Sequence, residues 1–154
     1  MPFWMSTYRF RRAGCLGLIL SAALVTAPLM ADQIGTYAKV REVFSGNTTA
    51  DGEALRFPVN DPSVHAVVVT LLPGETTVWH RHGTPLFGYV LEGTLTVEYD
   101  GLGTREYQAG EGFLEALEVV HQGRNAGTEP MQVLAVFLNG DGAVPTEETA
   151  APEN

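Results

Sequence analysis

Two histidines separated by one residue, His80 and His82, are the residues of this sequence best suited to metal chemistry. Side chains on a β-strand alternate between its two faces, so both imidazoles would point to one side and Arg81 to the other. Two imidazoles on one face can bind a divalent transition metal, although histidines at this spacing also line surfaces that bind nothing. The nearest carboxylate downstream is Glu92, so the pair alone does not show what completes a site.

The composition limits the other ligands and the partners. Cys15 is the only cysteine among 154 residues, and it lies in an N-terminal segment that we expect to be removed. A mature chain would then offer a metal only imidazole and oxygen ligands, and it would contain no disulfide. The net charge of −9 becomes more negative without the three N-terminal arginines, which argues against nucleic acid and anionic membrane surfaces as partners.

The first 31 residues have the order of a secretory signal peptide. Three arginines between positions 9 and 12 precede an uncharged apolar run over 15–30, and the small residue Ala31 follows. The run is shorter than the about 20 residues of a spanning helix and contains Pro28, so we expect no stable membrane anchor. The pattern predicts a signal peptide over 1–31 and a periplasmic or secreted protein; general secretory and twin-arginine export both remain open.

The remaining chain has the rhythm of an all-β domain, because short apolar runs alternate with Gly, Pro, Asp and Asn. We predict strands over the following ranges: 64–72, 76–82, 86–91, 94–99, 104–108, 112–115 and 131–138. Residues 32–60 are expected to supply an edge strand, over 39–44, and a cover. The barrel itself should occupy 61–139, and the polar residues 140–154 should form a disordered tail.

Two spaced motifs give this pattern a family resemblance. They are Gly74-(five residues)-His80-Arg81-His82-(ten residues)-Gly93 and Gly110-(ten residues)-His121-(three residues)-Asn125. Together they resemble the two motifs of the cupin family over roughly residues 64–138. The resemblance implies a single antiparallel, jelly-roll-like β-barrel with one divalent transition metal in its interior, which could be Fe, Zn, Ni, Mn or Cu. It implies His80, His82 and His121 as ligands and the three glycines as turn residues.

The chain departs from the family where the first motif has a glutamate, because that position holds Leu86. We therefore expect a three-histidine site in which Leu86 forms an apolar cavity wall and coordination positions stay open for water or substrate. The alternative is that Glu115 enters the site as a substitute ligand or as a general base, instead of being a solvated carboxylate at a strand end. The second motif's proline and glycine fall on Ala116 and Glu118, so the turn before His121 could differ in shape.

Ligating histidines need an acceptor for the ring N–H that does not face the metal. Asn125 and Gln122 are polar, lie close to His121 in the sequence, and are the candidates for this role. By the alternation of strand side chains, Arg81 and Arg124 should face away from the metal.

These features predict an exported, divalent-metal-binding cupin with a small molecule as its partner. A dioxygenase or an isomerase acting on a small molecule is one interpretation, because open coordination positions suit substrate binding. The alternative is a non-catalytic module that binds or senses a small ligand or a metal, since fold and metal do not fix chemistry. The sequence leaves the oligomeric state open; a homodimer would give a short chain additional burial.

Overall fold

The structure, a computed structural model, describes residues 39–153. The predicted signal peptide, residues 1–31, lies outside the described residues. Nine β-strands build the described residues: β1 (Ser63–Leu71), β2 (His80–Arg81), β3 (Leu86–Glu92), β4 (Thr94–Tyr99), β5 (Gly103–Gln108), β6 (Gly112–Leu114), β7 (His121–Arg124), β8 (Met131–Asn139) and β9 (Glu147–Glu148). Within residues 39–153, no helix is long and apolar enough to cross a membrane.

The strands form two antiparallel sheets, with a four-stranded order β1-β8-β3-β6 and a five-stranded order β5-β4-β7-β2-β9. The longest pairing joins β1 to β8, from Ser63 opposite Asn139 to Leu71 opposite Met131. The predicted all-β, antiparallel architecture is confirmed. Most predicted strands are present to within a residue or two, whereas the strand expected over 76–82 is reduced to the two residues of β2.

The core lies between the inner faces of the two sheets. Its buried side chains come from both, including Val90 on β3, Val97 on β4 and Met131 on β8, none more than 1% exposed. Burying a side chain of this size stabilises the fold by about 1.5–3 kcal/mol. Tyr107 stacks on Phe113, with 3.9 Å between ring centroids. The apolar side chains that alternate along the predicted strands therefore pack into one shared interior.

The three turn glycines have a left-handed backbone: Gly74, Gly93 and Gly110 have φ values of 81°, 74° and 91°. Gly93 shows why a side chain is excluded in the turn between β3 and β4. A Cβ there would lie 2.7 Å from the Cβ of Met131, in addition to the cost of the left-handed backbone. The glycine lets β4 start directly after β3 while Met131 fills the core.

Two predictions about the ends of the barrel are wrong. Residues 39–44 form no strand. The ring of Phe44 instead packs against that of Phe87, with 5.6 Å between ring centroids, so Phe44 covers the sheet without extending it. Residues 140–154 are not simply a disordered tail, because Glu147–Glu148 form β9 and pair with His80 and Arg81. An edge strand can be polar, since one side of it meets solvent, which is why composition misled the prediction.

Candidate metal centre

Three histidines converge inside the barrel, two of them on neighbouring strands and one directly after a strand. His80 on β2 lies directly opposite His121 on β7 in the antiparallel register, and His82 follows β2 immediately. One ligand atom from each of the three rings lies within 4.8 Å of the other two. The ring centroids are 4.4 Å apart for His80 and His121 and 5.0 Å apart for His82 and His121. The arrangement can hold one metal ion, as the two motifs predict.

Each of these rings is fixed by a hydrogen bond at Nδ1. His80 Nδ1 lies 2.8 Å from the carbonyl oxygen of Val78, and His121 Nδ1 lies 2.9 Å from that of Val119. His82 Nδ1 lies 3.1 Å from the carbonyl oxygen of Pro145. A carbonyl can only accept, so each Nδ1 carries the proton and each Nε2 keeps its lone pair. The three Nε2 atoms therefore each have a lone pair available to bind a metal.

The predicted ring acceptors, Asn125 and Gln122, do not serve this role. Asn125 is 1% exposed, and its Nδ2 donates to the carbonyl oxygens of Leu71 and Glu129 at 2.9 and 2.8 Å. Gln122 donates to the carbonyl oxygen of Thr77 at 2.8 Å. Both side chains hold the backbone of neighbouring segments. The backbone carbonyls that orient the histidines carry no side-chain signal, so the sequence could not reveal them.

Burial keeps the histidines neutral. The pKa of His82 is lowered from 6.5 to about 3, first because the ring is removed from water and then because His121 and His80 lie beside it. The pKa values of His80 and His121 are also lowered, with burial as the main cause. A neutral imidazole is the form that binds a metal, so the site does not have to lose protons at neutral pH.

Leu86 and Glu115 are neighbours across the pair β3–β6. The backbone N–H of Glu115 donates to the carbonyl oxygen of Leu86 at 2.9 Å, and both side chains line the cavity that contains the histidines. Leu86 is 6% exposed and Glu115 is 6% exposed. The interpretation of Glu115 as a solvated carboxylate is therefore wrong, and the chain carries a carboxylate one strand away from the position where the family has one.

Glu115 is held by two hydrogen bonds to one of its oxygens. Tyr99 donates its hydroxyl to Oε1 at 2.5 Å, and the N–H of Ala116 donates to the same atom at 2.9 Å. The other oxygen, Oε2, lies 3.8 Å from Nε2 of His121. Burial raises the pKa of Glu115. Tyr99 was not among the predicted site residues, and its place in the clear period-2 strand β4 gave no sign of this contact.

The turn before His121 contains a residue with left-handed backbone at the position where the family motif has a glycine. Glu118 has φ of 60° and stands where the family motif has glycine. Its backbone N–H donates to the carbonyl oxygen of His82 at 2.9 Å. The left-handed backbone expected of a glycine is therefore retained at this position.

Arg81 faces away from the histidines, as predicted. Its guanidinium lies 2.6 Å from Oε2 of Glu147 on β9 and 3.7 Å from Oε2 of Glu118. Arg124 is exposed. Neither cation is placed to bind a ligand beside the histidines.

The histidines open into a cavity of about 280 Å³. Both sheets line it, with side chains from β1, β3, β4, β6 and β8. Val78, Thr146 and Glu148 line it as well and are exposed to solvent, which places the entrance beside the histidines and the C-terminal segment.

Residues 67–137, which contain all three histidines, match the family model of the cupin domain. The chain therefore contains a cupin domain. A search of curated proteins finds no match to this cupin. The matched residues end before β9 and before the residues that hold His82 in place.

Solved structures similar to this cupin include enzymes that are larger. Oxalate decarboxylase of Lactobacillus farciminis is 24% identical with a TM-score of 0.49, over 55% of this chain and 26% of that one. A variant of Bacillus subtilis oxalate decarboxylase is 26% identical with a TM-score of 0.49, over 55% and 23%. The DMSP lyase DddQ of Ruegeria pomeroyi is 22% identical with a TM-score of 0.49, over 56% and 43%. The chain thus spans less than half of each of these proteins.

Proposed function

We propose that this cupin binds one divalent transition metal through His80, His82 and His121 and presents it to a small molecule in the adjacent cavity. The observation that carries the proposal is the convergence of three neutral imidazoles whose ligand atoms lie within 4.8 Å of one another. Three nitrogen donors leave coordination positions open, which is the arrangement of catalytic and ligand-binding metal sites.

The donor set fits such a metal. All three rings are buried or half-buried, their Nδ1 atoms are occupied by carbonyl oxygens, and their Nε2 atoms are free. Imidazole suits Zn, Fe, Ni and Cu without a thiolate. A bound ion would act as a Lewis acid and lower the pKa of a bound water. The chain's own contribution is to orient the rings and to surround the site with apolar side chains.

A dioxygenase or isomerase activity is favoured by Glu115. Its Oε2 lies 3.8 Å from His121 Nε2, while its other oxygen is held by Tyr99 and Ala116. A buried carboxylate fixed at one oxygen can take or give a proton at the other, beside the place where a substrate would meet the metal. The alternative, a non-catalytic module that captures or senses a small ligand, needs the histidines and the cavity but gives Glu115 no task in chemistry.

A calorimetric titration of the metal-free protein with zinc tests the proposed site. We expect one zinc per chain, a loss of at least about 100-fold in affinity for His121→Ala, and no change for His65→Ala. His65 lies on β1 and is exposed, so it is a matched control for the loss of one imidazole. Equal losses in the two histidine variants would contradict the site.

The variant Glu115→Gln in the same titration shows whether Glu115 is a metal ligand or only transfers a proton. If Glu115 acts only on a proton, the amide variant binds zinc as the wild type does, because the three imidazoles are intact. A loss as complete as that of His121→Ala would make Glu115 a metal ligand. Oxygen uptake or isomerisation that is absent in every metal-loaded form would favour the binding module.

We further propose that the protein is exported and acts as a periplasmic or secreted homodimer. The basic, apolar and small-residue order of residues 1–31 supports export. Intact-mass measurement of the protein from its native host tests it: a mature chain that still contains residues 16–20 would contradict cleavage near Ala31. Sedimentation equilibrium measures the oligomeric state directly.

A further inference from the structure

The walls of the histidine cavity are apolar almost throughout. Their aliphatic and aromatic side chains come from both sheets and include Val69, Leu71, Leu95, Val97, Val133 and Phe137. Two threonines line the cavity as well, and one of them, Thr77, already donates its hydroxyl to the carbonyl oxygen of Val78 at 3.0 Å and accepts from the N–H of Gly123 at 3.0 Å. The wall therefore offers a bound molecule few hydrogen bonds.

The charged side chains that line the cavity are two carboxylates. Across residues 39–153, no lysine or arginine lines this cavity. Two carboxylates line it: Glu115, which accepts a hydrogen bond from the hydroxyl of Tyr99, and Glu148, which is exposed. A second anionic group on a ligand would thus meet apolar carbon or a negative charge, and burying an unpaired charge is strongly unfavourable.

We propose that the ligand of this cupin is a small molecule with one metal-binding polar group and an otherwise apolar body that fills the cavity. The proposal rests on the proposed metal site for the polar group, while the apolar walls select the rest of the molecule. Dicarboxylates and phosphorylated compounds are excluded because a further negative charge would have no cationic partner in the cavity. Sugars are excluded because the wall offers few hydrogen bonds to their hydroxyl groups. The cavity of about 280 Å³ has room for on the order of ten non-hydrogen atoms, judged from about 30 Å³ of liquid volume per water.

Two hydroxamates test the proposal, because they share one metal-binding group and differ only in the body attached to it. Binding of acetohydroxamate and benzohydroxamate to the zinc-loaded full-length mature protein is measured by calorimetry. We expect benzohydroxamate to bind at least about tenfold more tightly, since its ring removes more apolar surface from water. Malonate, with two carboxylates, should bind more weakly than benzohydroxamate.

Neighbouring valines on β1 supply a matched pair of variants. Val69 lines the cavity, whereas Val68 points outward and is 53% exposed. Threonine has the shape of valine but adds one hydroxyl. Val69→Thr should weaken benzohydroxamate binding by about threefold to tenfold and leave acetohydroxamate binding unchanged, because only the ring contacts the wall. Val68→Thr should change neither.

The outcomes distinguish this inference from the proposed metal site. Zinc binding with equal affinities for the two hydroxamates would overturn the apolar-body inference alone, as would malonate binding more tightly than benzohydroxamate. Equal effects of Val69→Thr and Val68→Thr would also overturn it, because the cavity wall would then not contact the ring. An absence of zinc binding would instead overturn the metal site on which the polar group depends.

Discussion

His82 Nδ1 lies 3.1 Å from the carbonyl oxygen of Pro145, a residue 63 positions further along the chain. Thr146 Oγ1 lies 3.2 Å from the same ring nitrogen. The C-terminal segment that supplies both atoms is tied to β2 by Arg81 and Glu147 and by the N–H of Thr149, which donates to the carbonyl oxygen of Trp79 at 2.9 Å. One of the three proposed ligands is therefore oriented by residues that follow the cupin match over 67–137.

Removing this segment should weaken the metal site. A chain that ends at Gly142 loses both partners of His82 Nδ1, and we expect zinc affinity to fall by about 10-fold to 100-fold, because the ring loses its fixed orientation. A chain that ends at Thr149 keeps β9 and should bind zinc as the full chain does. Both are measured by zinc titration, with circular dichroism as the check that the barrel is folded. Equal affinities would show that His82 needs no such support.

Leu86→Glu should make the stability of the protein depend on metal. The new carboxylate would lie one strand away from Glu115 in a buried site, so the metal-free variant should be destabilised by several kcal/mol through unpaired buried charge. Zinc should restore most of that loss. Thermal unfolding with and without zinc measures the effect, and Leu91→Glu, at a residue that is 44% exposed on the same strand, is the control. Similar zinc-induced shifts in both variants would contradict the placement of Leu86.

The metal-free protein should lose stability as the pH falls below about 6.5. The pKa of His82 is lowered from 6.5 to about 3 in the folded state, so between these values the unfolded chain binds a proton that the folded chain does not, and acid favours unfolding. Glu115 acts in the opposite sense: its raised pKa costs stability as the pH rises above its ordinary value of 4.5.

Urea midpoints of the metal-free protein at pH 7.5 and pH 5 measure this dependence. His82→Gln should lose less stability between the two pH values than the wild type, because glutamine does not titrate. His65→Gln, at an exposed position, should lose as much as the wild type. Equal losses in the wild type and in His82→Gln would show that His82 is not kept neutral by burial.

Glu118→Gly should stabilise the protein by about 1 kcal/mol. The residue has φ of 60°, a conformation that glycine adopts without the cost paid by other residues. Glu106→Gly, in the exposed strand β5, is the matched control and should destabilise the protein. Urea unfolding of both variants measures the difference. A destabilised Glu118→Gly variant would show that the side chain's position near Arg81 outweighs the backbone strain.

Much of this cupin could be predicted from its sequence, because the relevant signals are local. The alternation over 94–99 predicts β4, and Gly93 marks the turn before it. Two histidines at strand spacing must share a face, which places His80 and His82 together. The match to the two cupin motifs adds His121 and the antiparallel barrel.

What the tertiary structure alone decided are contacts between residues that are distant in the sequence. Glutamate is usually a surface residue, but Glu115 is buried because it directly follows β6, which pairs with β3, and its N–H donates to the carbonyl oxygen of Leu86. The partners of the histidines are backbone carbonyls, which every residue carries and no sequence pattern marks. The polar residues Glu147 and Glu148 form a strand because β2 leaves an edge to be paired. Local sequence sets which face a side chain takes, whereas the register between strands decides what that face meets.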